Sequence, residues 1–154
     1  MTQHKISILF VDDEEHNLVS FKASFRTKYR IHTAIGGPEA IELLKNNEVE
    51  IIITDQRMPR MTGVEFLEKI IDSHPDPIRI LLTGYTDMAA VIDAINKGKI
   101  FHYLTKPWND EELEATIQKA YTAYLEKKKI KEENQHLAIT NEQLEFLLRQ
   151  RLLS

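Results

Sequence analysis

The chain has no cysteine among its 154 residues, which excludes disulfides, thiol nucleophiles and thiolate metal sites. It also lacks a surplus of positive charge. Lys and Arg number 20 against 24 Asp and Glu, a net charge of −4, so the chain carries no basic footprint for a nucleic acid. No apolar run reaches membrane length, and Met1 to Lys5 leads straight into a short strand without a leader pattern; a cytoplasmic protein is expected. The histidines, at 4, 16, 32, 74, 102 and 136, show no metal-ligand spacing and read as surface or packing residues. Glycine and proline, five of each, do not occur from Asp110 onward. What remains is 42% apolar and 29% charged, an ordinary globular composition.

Five apolar runs, rich in β-branched residues, alternate with helical patterns. Ile6–Val11 reads as a strand ending on Asp12-Asp13. A helix follows to about Lys28, with Leu18, Phe21 and Phe25 on one face. Arg30–Ala34 is a second strand, and Pro38 opens a helix through Ala40, Ile41 and Leu44 to about Lys45. Glu50–Asp55 is a third strand with the composition of one buried on both faces. Thr62 with Glu65 predicts a capped helix carrying Val64, Leu67, Ile70 and Ile71. Ile78–Thr83 is a fourth strand. Gly84 to Asp87 turns into a helix through Ala90, Val91, Ala94 and Ile95, closed by Gly98. Ile100–Thr105 is a fifth strand, Lys106-Pro107 follows, and Asn109 or Asp110 caps the last helix. Strands separated by helices in this way imply right-handed βαβ units. The fold class expected is α/β, a doubly wound five-stranded parallel sheet, in a domain spanning residues 1–125.

The C-terminal ends of these strands carry polar residues that a parallel sheet gathers on one edge, where ligands bind in open α/β folds. Taken alone, Asp55 reads as a solvated loop acid or a helix cap. Its company changes that: Asp12 and Asp13 end strand one, Thr83 ends strand four and Lys106 follows strand five. Three clustered carboxylates repel one another unless a cation neutralises them. With no Cys or clustered His, a hard divalent ion with oxygen ligands is the natural choice, and Mg2+ fits. An oxygen nucleophile, a metal site, an ammonium and a hydroxyl are the parts of a phosphoryl-transfer site, with Asp55 as the nucleophile of an aspartyl phosphate.

Residues 126–154 are expected to form a helical extension. Ile130, Leu137 and Leu144 recur every seven residues as d positions, with Asn134, Asn141 and Leu148 at a. Leu at d with Asn at a fits a parallel two-stranded coiled coil, hence a homodimer. The alternative is a lone amphipathic helix packed on its own domain. The run Glu126 to Glu133 is a solvated face of mixed sign.

Four stretches carry a resemblance: Phe-Val-Asp-Asp-Glu at 10–14, Ile-Ile-Thr-Asp-Gln-Arg-Met-Pro-Arg-Met-Thr-Gly at 52–63, Leu-Leu-Thr-Gly-Tyr-Thr-Asp at 81–87 and Tyr-Leu-Thr-Lys-Pro-Trp at 103–108. Over about residues 5 to 125 the chain resembles the receiver domain of two-component response regulators, a flavodoxin-like fold. The resemblance implies that Asp55 accepts phosphate from a histidine kinase or phosphotransfer protein. It implies that Asp12, Asp13, Asp55 and the backbone carbonyl of Arg57 hold Mg2+, and that Thr83 and Lys106 contact the phosphoryl group. Tyr103 matches the family's switch aromatic, and Lys106-Pro107 matches a peptide that is usually cis in the family. Phosphorylation is then expected to repack the face of the fourth helix, fifth strand and fifth helix, which also offers a dimer interface, and to reach an output domain or effector through the last helix. Such a chain is a switch with self-catalysed transfer and slow autodephosphorylation rather than an enzyme, and is expected to be part of a larger regulator. Arg57 and Tyr85 are bulky neighbours read as modulators that screen the aspartyl phosphate from water. Trp108 reads as packing and as a fluorophore.

Two rival readings stand beside this one. Haloacid-dehalogenase-type phosphohydrolases share the strand-end Asp, Mg2+, Thr and Lys, but carry Asp-x-Asp at the nucleophile where this chain has Arg57, and need room for a cap. A degenerate receiver used only for binding would have little reason to keep three clustered carboxylates.

Overall fold

The computed structural model describes residues 4–153, the side chains of Tyr85 and Leu153 excepted. In order come β1 (Ser7–Val11), α1 (Glu15–Phe25), β2 (Arg30–Ala34), α2 (Gly37–Leu44), β3 (Ile51–Asp55), α3 (Gly63–Ile70), β4 (Ile78–Thr83), α4 (Met88–Asn96), β5 (His102–Thr105) and α5 (Asp110–Leu153). A 3-10 turn, Tyr85–Asp87, precedes α4. The strands form one parallel sheet in the order β2-β1-β3-β4-β5. The order reverses direction between β1 and β3, and the crevice at that switch point is where such sheets bind ligands.

Alternation along each strand divides the core into two layers. Ile8, Phe10, Ile51, Ile53, Ile80 and Leu82 face α1 and α5, joined there by Phe21, Phe25, Leu113 and Ile117. Leu9, Val11, Ile52 and Leu81 face the other way, against Phe66, Leu67, Ile70, Val91 and Ala94 of α3 and α4. Phe10 stacks on Phe21 at 4.1 Å between centroids, and Phe21 and Phe25 follow at 5.1 Å. Such pairs add about 0.5–1.5 kcal/mol beyond area burial. The helix expected to reach Lys28 stops at Phe25, because Tyr29 turns in to be buried and Arg30 N–H bonds Ile6 O at 2.9 Å to start β2. β5 begins at His102 rather than Ile100; Phe101 is exposed, its N–H reaching Arg79 O at 2.7 Å. Gly98, at φ 72°, closes α4 as expected.

Cap chemistry sets the helix starts. Thr62 Oγ1 accepts from Glu65 N at 3.2 Å, and Glu65 Oε1 accepts from Thr62 N at 3.3 Å, a complete capping box. Thr62→Ala is therefore expected to lower stability by about 1 kcal/mol in thermal denaturation; an unchanged midpoint would show that the box contributes nothing. Asn109, not Asp110, caps α5, its Oδ1 accepting from Glu111 N and Glu112 N at 2.9 and 3.1 Å. The chain divides into two compact units, residues 1–124 and 125–154. The first is the α/β domain. The second is helical, with Ile130, Leu137, Leu144 and Leu148 exposed. No helix of the described residues is long and apolar enough to cross a membrane.

Candidate functional site

β1 and β3 pair with Val11 opposite Thr54, β3 and β4 with Asp55 opposite Leu82, and β4 and β5 with Thr83 opposite Thr105. This register brings Asp12, Asp13, Asp55, Thr83 and Lys106 to one edge of the sheet. One carboxylate oxygen from each of Asp12, Asp13 and Asp55 lies within 4.8 Å of the others. Asp12 is fully buried, Asp55 is buried and Asp13 is exposed. Lys106 Nζ bridges the two buried acids, 2.9 Å from Asp12 Oδ2 and 3.1 Å from Asp55 Oδ2.

Burial pushes the Asp55 carboxyl above its ordinary value; Lys106 opposes this and the neighbouring Asp12 adds to it. Burial works against the Lys106 ammonium as well, yet its hydrogen bond to Asp12 and the attraction of Asp55 and Asp12 outweigh it and hold the lysine above its usual value. Three carboxylates against one ammonium leave the cluster two negative charges in excess. All its donors are oxygens. That donor set fits a hard divalent cation held by Asp12, Asp13 and Asp55.

Thr83 is fully buried, and its hydroxyl donates to Gly84 O at 3.1 Å. Tyr103 is half-buried against the α4 side of the core and stacks with His102 at 6.0 Å. The Arg57 side chain, 72% exposed, places Nε 3.0 Å from Asp87 Oδ2. The Tyr85 side chain, read above as a modulator, lies outside the described residues. Trp108 sits edge-on to Phe10 at 5.7 Å and donates Nε1–H to Asp110 Oδ1 at 3.0 Å. Phe10 lies two residues before Asp12, so the indole packs on the strand that carries the acids. The Lys106-Pro107 peptide is cis.

Sequence reasoning passed over the residues that hold this edge in place. Asn17 Nδ2 donates to Asp12 Oδ2 at 3.1 Å, while Glu14 N–H satisfies Oδ1 at 2.9 Å. Gln56, buried beside Asp55, donates N–H to Leu82 O, accepts Gly63 N–H at its carbonyl and accepts Val64 N–H at Oε1, all at 2.9–3.0 Å. Arg60 pairs with Glu39 at 2.7 Å, tying the loop after β3 to the start of α2. Gly63 lies so close to β3 that a Cβ there would sit 2.3 Å from Asp55 O. Only Gly63 had a visible signal: a glycine in the first turn of a capped helix has no conformational reason to be there, which leaves a spatial one.

A family model described as the response regulator receiver domain matches residues 8–118. The hydrogenase transcriptional regulatory protein HoxA of Cupriavidus necator is 35% identical over 123 residues, which make up 80% of this chain and 26% of the relative. This chain thus spans about a quarter of the length of the curated relatives it matches. Among solved structures, the signal receiver domain of an HD domain-containing protein from Pseudomonas fluorescens is 32% identical, with a TM-score of 0.76 over 84% of this chain and 96% of that one. The response regulator protein TrrA from Thermotoga maritima, solved in complex with Mg2+ and BeF, is 28% identical, with a TM-score of 0.66 over 75% and 98% of the two chains.

Proposed function

The chain belongs to the receiver domain family of two-component response regulators, and from that premise we propose that it is switched by transfer of a phosphoryl group from a phosphohistidine of a kinase or phosphotransfer protein to Asp55. A carboxylate oxygen of Asp55 forms the new bond to phosphorus as the phosphorus–nitrogen bond of the donor breaks, the electron pair leaving with the imidazole. The observation that carries this reading is the Lys106 ammonium bridging Asp12 and Asp55 at the ends of neighbouring strands. Lys106 orients the Asp55 oxygen and neutralises charge on the incoming group, and the Thr83 hydroxyl exchanges its bond to Gly84 O for one to the phosphoryl oxygens. Asp12, Asp13, Asp55 and the Arg57 carbonyl would hold Mg2+, which when bound neutralises the oxygens of the transferred group. The self-catalysed transfer makes the domain a signalling switch and not a turnover enzyme.

The output follows from the same elements. A moving Thr83 leaves space toward which half-buried Tyr103 turns, repacking the face built from α4, β5 and α5. The relatives' greater length supports an output domain beyond the receiver. The helix of residues 125–153 joins two copies in parallel through Ile130, Leu137 and Leu144 at d and Asn134, Asn141 and Leu148 at a. In that register Glu126 of one copy faces Lys131 of the other, opposite charges at g and e, and Leu147 faces Leu152.

The test is Trp108 fluorescence and light scattering on adding MgCl2 and then beryllofluoride, a stable mimic of the aspartyl phosphate, with Asp55→Asn alongside. A Mg2+-dependent response confined to the wild type is expected, and one phosphoryl adduct on the wild type alone after incubation with acetyl phosphate. A chain that takes up no adduct overturns the reading in favour of a binding module, and turnover of a small phosphomonoester favours a hydrolase. The mass is expected to be that of a dimer, falling to the monomer in Leu137→Asp/Leu144→Asp.

A further inference from the structure

Thr62 and Asp87 both stand at helix N-termini beside the site, and they behave differently. Thr62, with ψ 164°, has its side chain turned back to accept from the α3 backbone. Asp87, the N-cap residue of α4, has φ −108° and ψ 17°, outside the extended conformation caps usually adopt, and its side chain makes no cap hydrogen bond. Aspartate is among the strongest N-cap residues. Here its carboxylate goes to Arg57 instead, with Nε 3.0 Å from Oδ2. The donors it would have capped, the amides of Ala89 and Ala90, therefore lack that partner in this state.

The pairing joins two loops that matter to one another. Arg57 lies two residues beyond Asp55, so their Cα atoms are at most about 7 Å apart. Asp87 closes the turn that starts immediately after Thr83. The turn has room to change: Gly84 enters it in an extended conformation at φ −81° and ψ 169°, and a Cβ built there meets nothing within 4 Å. The Arg57–Asp87 pair is exposed on the arginine side, and such pairs are worth about 0–1 kcal/mol. A stronger partner for either member is enough to separate them.

We propose that Asp87 is a positioning residue with two alternative tasks. In the unphosphorylated protein it holds Arg57 away from Asp55, and once Arg57 moves to the phosphoryl group, Asp87 caps α4. Resting on the reading of Asp55 as phosphoacceptor, this names Arg57 as a further phosphoryl contact. A guanidinium exchanges one carboxylate oxygen for a more highly charged phosphoryl group whose oxygens match its planar fork. The freed carboxylate then swings ψ toward the extended range and accepts from Ala89 or Ala90. The 3-10 turn then opens at Asp87 and α4 starts from a capped end, so the change at Asp55 reaches the α4 face through one side-chain exchange.

Amide hydrogen exchange at Ala89 and Ala90, read by NMR on the full chain, tests this. In the wild type MgCl2 with beryllofluoride is expected to slow both amides about fivefold, the ratio one N-cap bond supports. Arg57→Ala, which keeps its backbone carbonyl, and Asp87→Asn, which keeps a capping side chain, are expected to show slowed exchange without beryllofluoride. Asp87→Ala is expected to show it under neither condition. Unslowed exchange in Arg57→Ala, or a wild-type-like response in Asp87→Ala, overturns the proposal. If Trp108 responds to beryllofluoride while the amides do not, this inference alone fails. If Trp108 and the amides both ignore beryllofluoride and acetyl phosphate leaves no adduct, the phosphoacceptor reading falls and takes this inference with it; if an adduct forms while the amides stay unslowed, this inference alone fails.

Discussion

In EDTA, Asp55→Asn is expected to melt above the wild type at neutral pH, with the difference vanishing in acid. The argument is one of linkage. Burial raises the Asp55 carboxyl above its ordinary value even with Lys106 at 3.1 Å, and Asp12 pushes it the same way. A carboxylate whose folded pKa lies above its unfolded value, about 3.9, favours the folded state fully below that unfolded value. It withdraws the contribution as pH rises through the folded value. The wild type therefore carries a burial penalty at pH 7 that asparagine, of the same shape, does not. Lys106 keeps Asp12 at 2.9 Å in the variant, so no buried ammonium is stranded. Each 1 kcal/mol moves the midpoint by about 4 °C in a domain of this size. If Asp12, Asp13 and Asp55 hold Mg2+ as proposed, saturating MgCl2 is expected to raise the wild type by mass action and to leave the variant nearly unmoved. Thermal melts from acid to neutral pH, with and without MgCl2, check all three features. A variant that melts below the wild type at pH 7, or a gap that ignores pH, would show that the lysine more than compensates the burial of Asp55.

Part of the site is legible without coordinates. Asp12, Asp55 and Thr83 each end a short, mostly aliphatic run, and Lys106 follows a fifth, partly aromatic one, so strand ends and topology alone put them on one edge. The heptad spacing at Ile130, Leu137 and Leu144 is equally visible. Gln56, Glu39 and Asp87 are not, because each acts through a hydrogen bond or ion pair whose partner is distant or is a backbone group, and Asn17 bonds Asp12 across the turn into α1, where no periodicity pairs them. No periodicity marks such a residue. The end of α1 at Phe25 was lost for a related reason. The apolar spacing continues past it, and burial of Tyr29 with the bond from Arg30 N–H to Ile6 O decides where the helix yields to β2.

Gly63→Ala is expected to destabilise the domain by about 2–4 kcal/mol, lowering the midpoint by on the order of 10 °C. Helix propensity alone predicts the opposite sign, since replacing Gly by Ala inside a helix gains up to about 1 kcal/mol. Position reverses it. The new Cβ would lie 2.3 Å from Asp55 O, 3.1 Å from Asp55 C and 2.9 Å from Leu81 Cδ1. The leucine methyl can turn aside, but the carbonyl belongs to the β3 backbone at Asp55, the proposed phosphoacceptor. Relief requires α3 to back away from the sheet. That motion stretches the bonds from Gly63 N–H to Gln56 O and from Val64 N–H to Gln56 Oε1, now 3.0 and 2.9 Å. Folded Gly63→Ala protein should therefore also show a weaker Mg2+-dependent Trp108 response, because Asp55 is no longer held against Asp12 and Lys106. Gly84→Ala is the control. It sits beside the same site at φ −81°, and nothing lies within 4 Å of its Cβ, so its midpoint should stay near that of the wild type. A Gly63→Ala protein that melts at or above the wild type would mean that α3 can retreat without loss, and that Gly63 does not set the position of β3 and Asp55.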